Sequence, residues 1–181
     1  SEVAPSDTNA DAIISAINWE AGPFWVSVTY DAIDNPTGGE DQKHLQVGAT
    51  FDLGPVRLHA GYADQSNIGA VPGGPTGGTG SFLAVPAGFQ PFDTNAYMLG
   101  VTWKVGAFTL MGSFQMQDAD QQTGPTRSFD PDFDIWGFGA AYNLSRRTNL
   151  YASYAQRNAD GTFQGESFDA KQLAFGVRHL F

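Results

Sequence analysis

Apolar residues recur at every second position over nine long segments of this chain, and this alternation limits the fold more than any other feature of the sequence. Side chains of a β-strand point alternately to its two faces, so the alternation predicts strands with one apolar and one polar face. The nine predicted strands are Ala12–Glu20, Phe24–Asp31, Lys43–Asp52, Pro55–Asp64, Asn95–Lys104, Ala107–Gln117, Phe133–Leu144, Thr148–Arg157 and Ala170–Phe181. The 181 residues are therefore expected to form a single all-β domain, residues 1–181.

The length of these strands favours a membrane over water as their surroundings. Most have eight to twelve residues, whereas strands of soluble proteins usually have about five or six. A strand that crosses a bilayer at a tilt of about 45° needs about 9–11 residues. Strand length therefore favours a transmembrane β-barrel over a soluble sandwich.

The connections between strands alternate strictly between short and long. The short ones are Ala21–Pro23, Leu53–Gly54, Val105–Gly106 and Ser145–Arg147, and the long ones are Ala32–Gln42, Gln65–Thr94, Asp118–Asp132 and Asn158–Asp169. Antiparallel up-and-down barrels of the bacterial outer membrane have short periplasmic turns and longer external loops. The alternation therefore predicts that topology.

Charge is distributed unequally along the chain, with a formal net charge of −10. This acidity argues against a nucleic-acid partner. Most acids lie in the opening segment or the long loops, which predicts an acidic external rim. A charge that faces lipid at the bilayer midplane costs about 2–4 kcal/mol. Charged residues on the polar parity are therefore expected to face a water-filled interior, where Glu20, Asp31 and Asp52 would oppose the basic ones. The candidate pore-lining residues are Arg57, His59, Lys104, Arg157 and Arg178.

Three acids at alternate positions, Asp130, Asp132 and Asp134, lie near the end of the third long loop. Ca²⁺ is bound by 6–8 oxygen ligands, so this spacing suggests a calcium site. The Gly and Glu of an EF-hand loop are absent, however. A solvated acidic rim is the favoured interpretation, and the alternatives are bound calcium or cation bridges to lipopolysaccharide phosphates. No other cofactor is predicted.

Enzymatic function is not predicted. The sequence contains no nucleophile elbow, zinc-protease motif or nucleotide-binding motif. Two other classes of protein stay open. A soluble carbohydrate-binding β-sandwich would display Trp residues on its loops, whereas all four Trp residues lie within predicted strands. An outer-membrane adhesin or structural anchor would share the membrane pattern described above.

The last predicted strand resembles the carboxy-terminal strand of Gram-negative general diffusion porins. It carries Phe175, Val177, His179 and the terminal Phe181 on one parity, which is the pattern read by the outer-membrane assembly machinery in that family. The stretch 142–154, YNLSRRTNLYASY, resembles the penultimate hairpin of the same porins. The strand and turn pattern extends this resemblance over essentially the whole chain.

The resemblance implies a 16-stranded barrel that forms a homotrimer in the bacterial outer membrane. Its function would be the passive diffusion of small hydrophilic solutes and ions through a water-filled channel. Nine strands counted back from Phe181 would be strands 8–16 of that barrel, so the amino-terminal strands and the constriction loop are expected in a remaining fragment. The implied partners are that fragment, outer-membrane lipid and lipopolysaccharide, and two further copies.

Overall fold

The computed structural model describes residues 11–35, 39–68, 92–120, 122–123, 128–129, 132–159, 162–163, 166–167 and 169–180. These residues form one nine-stranded antiparallel sheet and two short two-stranded ribbons. The strands of the large sheet are β1 (Ala12–Ala21), β2 (Phe24–Ile33), β3 (Gln42–Leu53), β4 (Val56–Ile68), β5 (Phe92–Val105), β6 (Phe108–Ala119), β9 (Phe133–Asn143), β10 (Thr148–Ala159) and β13 (Ala170–His179). The ribbons pair β7 (Gln122–Thr123) with β8 (Ser128–Phe129) and β11 (Thr162–Phe163) with β12 (Glu166–Ser167).

Each long strand pairs only with its neighbours along the sheet, so the up-and-down order predicted from the sequence is confirmed. The sheet is open within the described residues, with β1 and β13 as its two edges, and it forms part of a barrel. Among the residues described, no helix is long and apolar enough to span a membrane.

The largest departure from the predicted boundaries is at the β4–β5 hairpin. β4 continues to Ile68 and β5 begins at Phe92, whereas the sequence predicted Asp64 and Asn95. The residues that extend these strands are mostly polar on both parities, so the alternation fades there while the backbone ladder continues. The ladder is irregular between Gln65 and Ile68, where Asn67 adopts a φ of 58°.

Glycine defines the first three short turns. Gly22, Gly54 and Gly106 have φ values of 57°, 69° and 57°. Pro23 and Pro55 follow the first two glycines, and proline fixes a negative φ. Positive φ at the first turn position alone is the requirement of a type II′ hairpin, whose twist matches that of the flanking strands.

The register places the predicted parities on two continuous faces. One row of paired residues crosses all nine strands: Ala21, Phe24, Phe51, Leu58, Val101, Gly112, Phe138, Tyr154 and Leu173. The adjacent row, on the opposite face, is Glu20, Trp25, Thr50, His59, Gly100, Ser113, Gly137, Ala155 and Gln172. We call the first, apolar face the outer face and the second the inner face.

The outer face has no protein layer over its apolar side chains in the part of the chain that the structure describes. Leu99 and Phe138 are each 64% exposed, and Phe175 is 81% exposed. Only two described apolar side chains are buried, Ile68 and Phe92. Exposed apolar surface on this scale fits contact with lipid and does not fit a water-soluble monomer.

Candidate pore lining

The inner face near the short turns carries an ion pair. Arg57 and Asp52 lie directly opposite each other on β4 and β3. The Nε and Nη2 atoms of Arg57 donate to the two Asp52 carboxylate oxygens at 2.5 and 2.7 Å. Both side chains stay about half exposed. The bidentate contact fixes the direction of the guanidinium and partly cancels its charge.

The five predicted lining residues all lie on the inner face, but the register does not bring them together. Arg57, Lys104 and Arg178 each lie within two residues of a strand end at the short-turn side. Arg157 lies near the opposite end of β10, where its guanidinium is 4.6 Å from the centre of the Phe133 ring. The predicted lining residues therefore do not form one continuous basic cluster on the inner face.

His59 lies farther along β4 than Arg57. The register places it between Thr50 and Gly100, and its Nε2 atom is 3.1 Å from the Thr102 hydroxyl. The ring is half-buried. Its role as a lining residue stays a prediction.

The inner face near the long connections is packed, which the sequence did not predict. His44 is 3% exposed and Gln42 is 1% exposed. The amide nitrogen of Gln42 is 3.0 Å from His44 Nε2, and His44 Nδ1 is 2.9 Å from the Asp31 carboxylate. With the amide donating to Nε2, the imidazole proton lies on Nδ1 and is donated to Asp31.

Between these two ends, the inner face holds an uncharged cavity of about 510 Å³, which we call the trough. Its lining includes Trp25, Thr29, Gln46, Gln115 and Gln117. Among the lining residues that the structure describes, none is Asp, Glu, Lys, Arg or His. The sequence contained one signal of this site, since Trp25 falls on the polar parity of β2.

Aromatic pairs on the outer face lie toward both ends of the strands. Phe24 stacks on Phe51 with ring centres 4.4 Å apart near the short turns. Tyr62 and Tyr97 lie 5.2 Å apart nearer the long connections. Aromatic side chains favour the two interfaces of a bilayer, so two such belts are typical of a membrane barrel.

A family model for Gram-negative porins matches residues 2–162. The chain belongs to the Gram-negative porin family. Over 197 aligned positions, this porin chain is 32% identical to an outer membrane porin protein of Bordetella pertussis, and the match covers 96% of the chain and 47% of that protein. It thus spans about half the length of that curated relative. Membership of the family places the sheet in the outer membrane.

Solved structures show the same fold. An anion-selective porin from Comamonas acidovorans matches with a TM-score of 0.63 at 22% identity, covering 94% of this chain and 49% of that one. The outer membrane channel DcaP of Acinetobacter baumannii matches with a TM-score of 0.69 at 15% identity, covering 94% of this chain and 51% of that one. The nine-stranded sheet of this porin chain therefore has the curvature and order of a partial porin barrel.

The predicted assembly signal lies on the outer face as far as it is described. Phe175 and Val177 pair with Ala152 and Leu150 of β10 and are exposed. The Nδ1 atom of His179 lies 2.9 Å from the Thr148 hydroxyl. Phe181 lies outside the described residues.

The predicted calcium ligands of this porin chain are only partly described. Asp130 lies outside the described residues. Asp132 accepts a hydrogen bond from the Ala119 backbone N–H at 2.7 Å, and Asp134 accepts one from the Asn158 amide at 2.8 Å. Among the described residues, no three His, Cys, Asp or Glu side chains lie together so that they could hold a metal ion.

Proposed function

We propose that the barrel to which this chain contributes is a water-filled channel for passive diffusion of small hydrophilic solutes and ions. The observation that carries the proposal is the pair of adjacent rows that cross all nine strands. One row is apolar or aromatic apart from a single glycine, and the other combines polar side chains with glycine and alanine, Trp25 being its one large aromatic residue. A wall with lipid on one side and water on the other requires this division.

Closure of the barrel requires more strands than this sheet contains. The edge strands β1 and β13 would leave backbone N–H and C=O groups unpaired, and each unpaired group in lipid costs several kcal/mol. We infer that the remainder of the porin supplies the missing strands, in line with a curated relative about twice as long. A homotrimer surrounded by lipid and lipopolysaccharide is the assembly that the family resemblance suggests.

The experiment is a planar-bilayer recording of the full-length porin. Discrete current steps that grow with salt concentration are the expected result. Persistent silence from correctly folded protein would contradict the channel and favour an adhesin or anchor. A matched pair of variants tests which face meets water. Ser113→Trp, on the inner face, is expected to narrow the channel and lower the single-channel conductance. Phe114→Trp, on the outer face, is expected to leave the conductance unchanged.

A further inference from the structure

The trough lies on the inner face of the central strands and has a floor of small residues. Gly48 and Gly61 are paired across β3 and β4, and Ala63 and Ala96 are paired across β4 and β5. All four line the cavity. Its volume of about 510 Å³ falls within the range of about 300–1,000 Å³ that is typical of small-molecule sites.

The indole of Trp25 forms one end of the trough. Its Cζ3 atom lies 3.8 Å from the position that a Cβ atom on Gly48 would occupy, so the ring reaches over the glycine. Trp25 is 38% exposed. A large aromatic surface that faces water is unfavourable unless something covers it.

Uncharged amides extend the trough away from the indole. Gln46 lies opposite Thr29, and Gln115 lies opposite Met98. The amide groups of Gln46 and Gln115 have no hydrogen-bond partner among the described residues. Each amide can donate two hydrogen bonds and accept at its oxygen.

The absence of charge in the described lining decides the class of solute. The nearest charged groups lie outside the lining: the Arg157 guanidinium is 4.6 Å from the centre of the ring of Phe133, a lining residue. Beyond the indole, Trp25 borders a cavity of about 320 Å³ with Glu20, Asp52 and Arg57. A neutral solute can lie on this lining without a counter-charge, whereas an ion that gave up water there would meet no opposite charge among the described lining residues. The surface therefore fits a neutral molecule that has flat apolar faces and many hydroxyl groups.

We propose that the trough binds a short neutral oligosaccharide as it passes through the channel. One sugar ring stacks on Trp25, and hydroxyl groups exchange hydrogen bonds with Gln46 and Gln115. This inference rests on the proposed function and names a class of solute for it.

The experiment uses the full-length porin in planar bilayers with maltotriose as the probe. Maltotriose is expected to interrupt the current in a titratable manner, and polyethylene glycol of similar mass is expected to do so much less. Trp25→Ala is expected to raise the maltotriose concentration that half-blocks the current about five- to tenfold. Trp25→Phe is expected to raise it less than about threefold, because a phenyl ring preserves part of the stacking surface. Trp19→Ala, on the outer face of β1, is the matched control and leaves it unchanged.

A second measurement tests binding of the oligosaccharide independently of channel activity. Saturation-transfer NMR of maltotriose with the detergent-solubilised porin detects binding whether or not current flows. Gln115→Leu keeps the side-chain size, removes the amide and is expected to weaken binding about threefold. Loss of current steps with preserved Trp25-dependent binding would overturn only the proposed function. If maltotriose and polyethylene glycol interrupted the current equally, or if Trp25→Ala bound maltotriose as well as wild type, the proposal that the trough binds an oligosaccharide would be overturned.

Discussion

The two faces of this sheet are built from the same nine strands but follow different rules. On the outer face, one requirement applies nearly everywhere: the side chain is apolar, and its exact shape matters little because lipid conforms to it. Leu99 and Phe138 are alike in exposure and differ in shape. On the inner face, neighbouring residues differ in charge, burial and hydrogen bonding. The outer face is therefore determined by contact with lipid, whereas each position of the inner face is determined by its particular neighbours.

A charge in the middle of the outer face is the strongest way to break this comparison. Leu99→Arg places a guanidinium against lipid, and the expected cost is about 2–4 kcal/mol of unfolding free energy. The control, Ser113→Arg, places the same side chain on the inner face, at the level of Gly100 beside Leu99. It is expected to change stability little because the charge stays in water.

Urea unfolding of the full-length porin in lipid vesicles measures both variants. Equal losses of stability would mean that both faces meet the same medium. A greater loss of stability for Ser113→Arg than for Leu99→Arg would mean that lipid contacts the inner face and not the outer one. Either result would end the interpretation of the sheet as a channel wall.

A pair of histidines tests whether the inner face is uniform. His44→Ala removes a buried ring together with its hydrogen bonds to Asp31 and Gln42. The expected loss is about 1–3 kcal/mol. His59→Ala removes a half-buried ring whose one hydrogen-bond partner among the described residues is Thr102, and it is expected to cost less than about 1 kcal/mol.

The same vesicle assay compares the two histidine variants. A clear difference would show that the inner face is packed near the long connections and open nearer the short turns. If His59→Ala were as destabilising as His44→Ala, the packed region of the inner face would extend closer to the short turns than the structure indicates. His44→Gln, which can keep part of the hydrogen bonding, is expected to fall between wild type and His44→Ala.

The sequence predicted the strands and the two faces because both depend on a local pattern. Each strand has lipid on one side, so its alternation is visible without knowledge of its neighbours. The prediction was weakest where that cause is missing. The extensions of β4 and β5 that end at Ile68 and begin at Phe92 are mostly polar on both parities, so their pairing is visible only in the backbone hydrogen-bond ladder.

The contacts of the inner face were not predicted because they depend on register between strands. Asp31 and His44 are far apart in the sequence, and they meet because β2 pairs with β3 at that position. The trough has the same origin, since Trp25 becomes notable only when Gly48 lies beside it. Gln46 and Gln115 come from strands that are not adjacent. The alternation in the sequence indicates which face of the sheet each residue lies on, but not which residues of other strands it contacts.

The smallest expected effect concerns the charges at the short-turn end of the inner face. Arg57→Gln and Lys104→Gln are each expected to change the ratio of cation to anion permeability by less than about twofold. Charge rings control ion preference where the channel is narrowest, and exposed charges are screened within about 8–10 Å at physiological salt. Arg57 is, moreover, already paired with Asp52.

Reversal potentials across a salt gradient measure the permeability ratio, and Asp52→Asn combined with Arg57→Gln is the charge-balanced control. Complete reversal of selectivity by either single change would place the constriction at this end and make the neutral trough secondary.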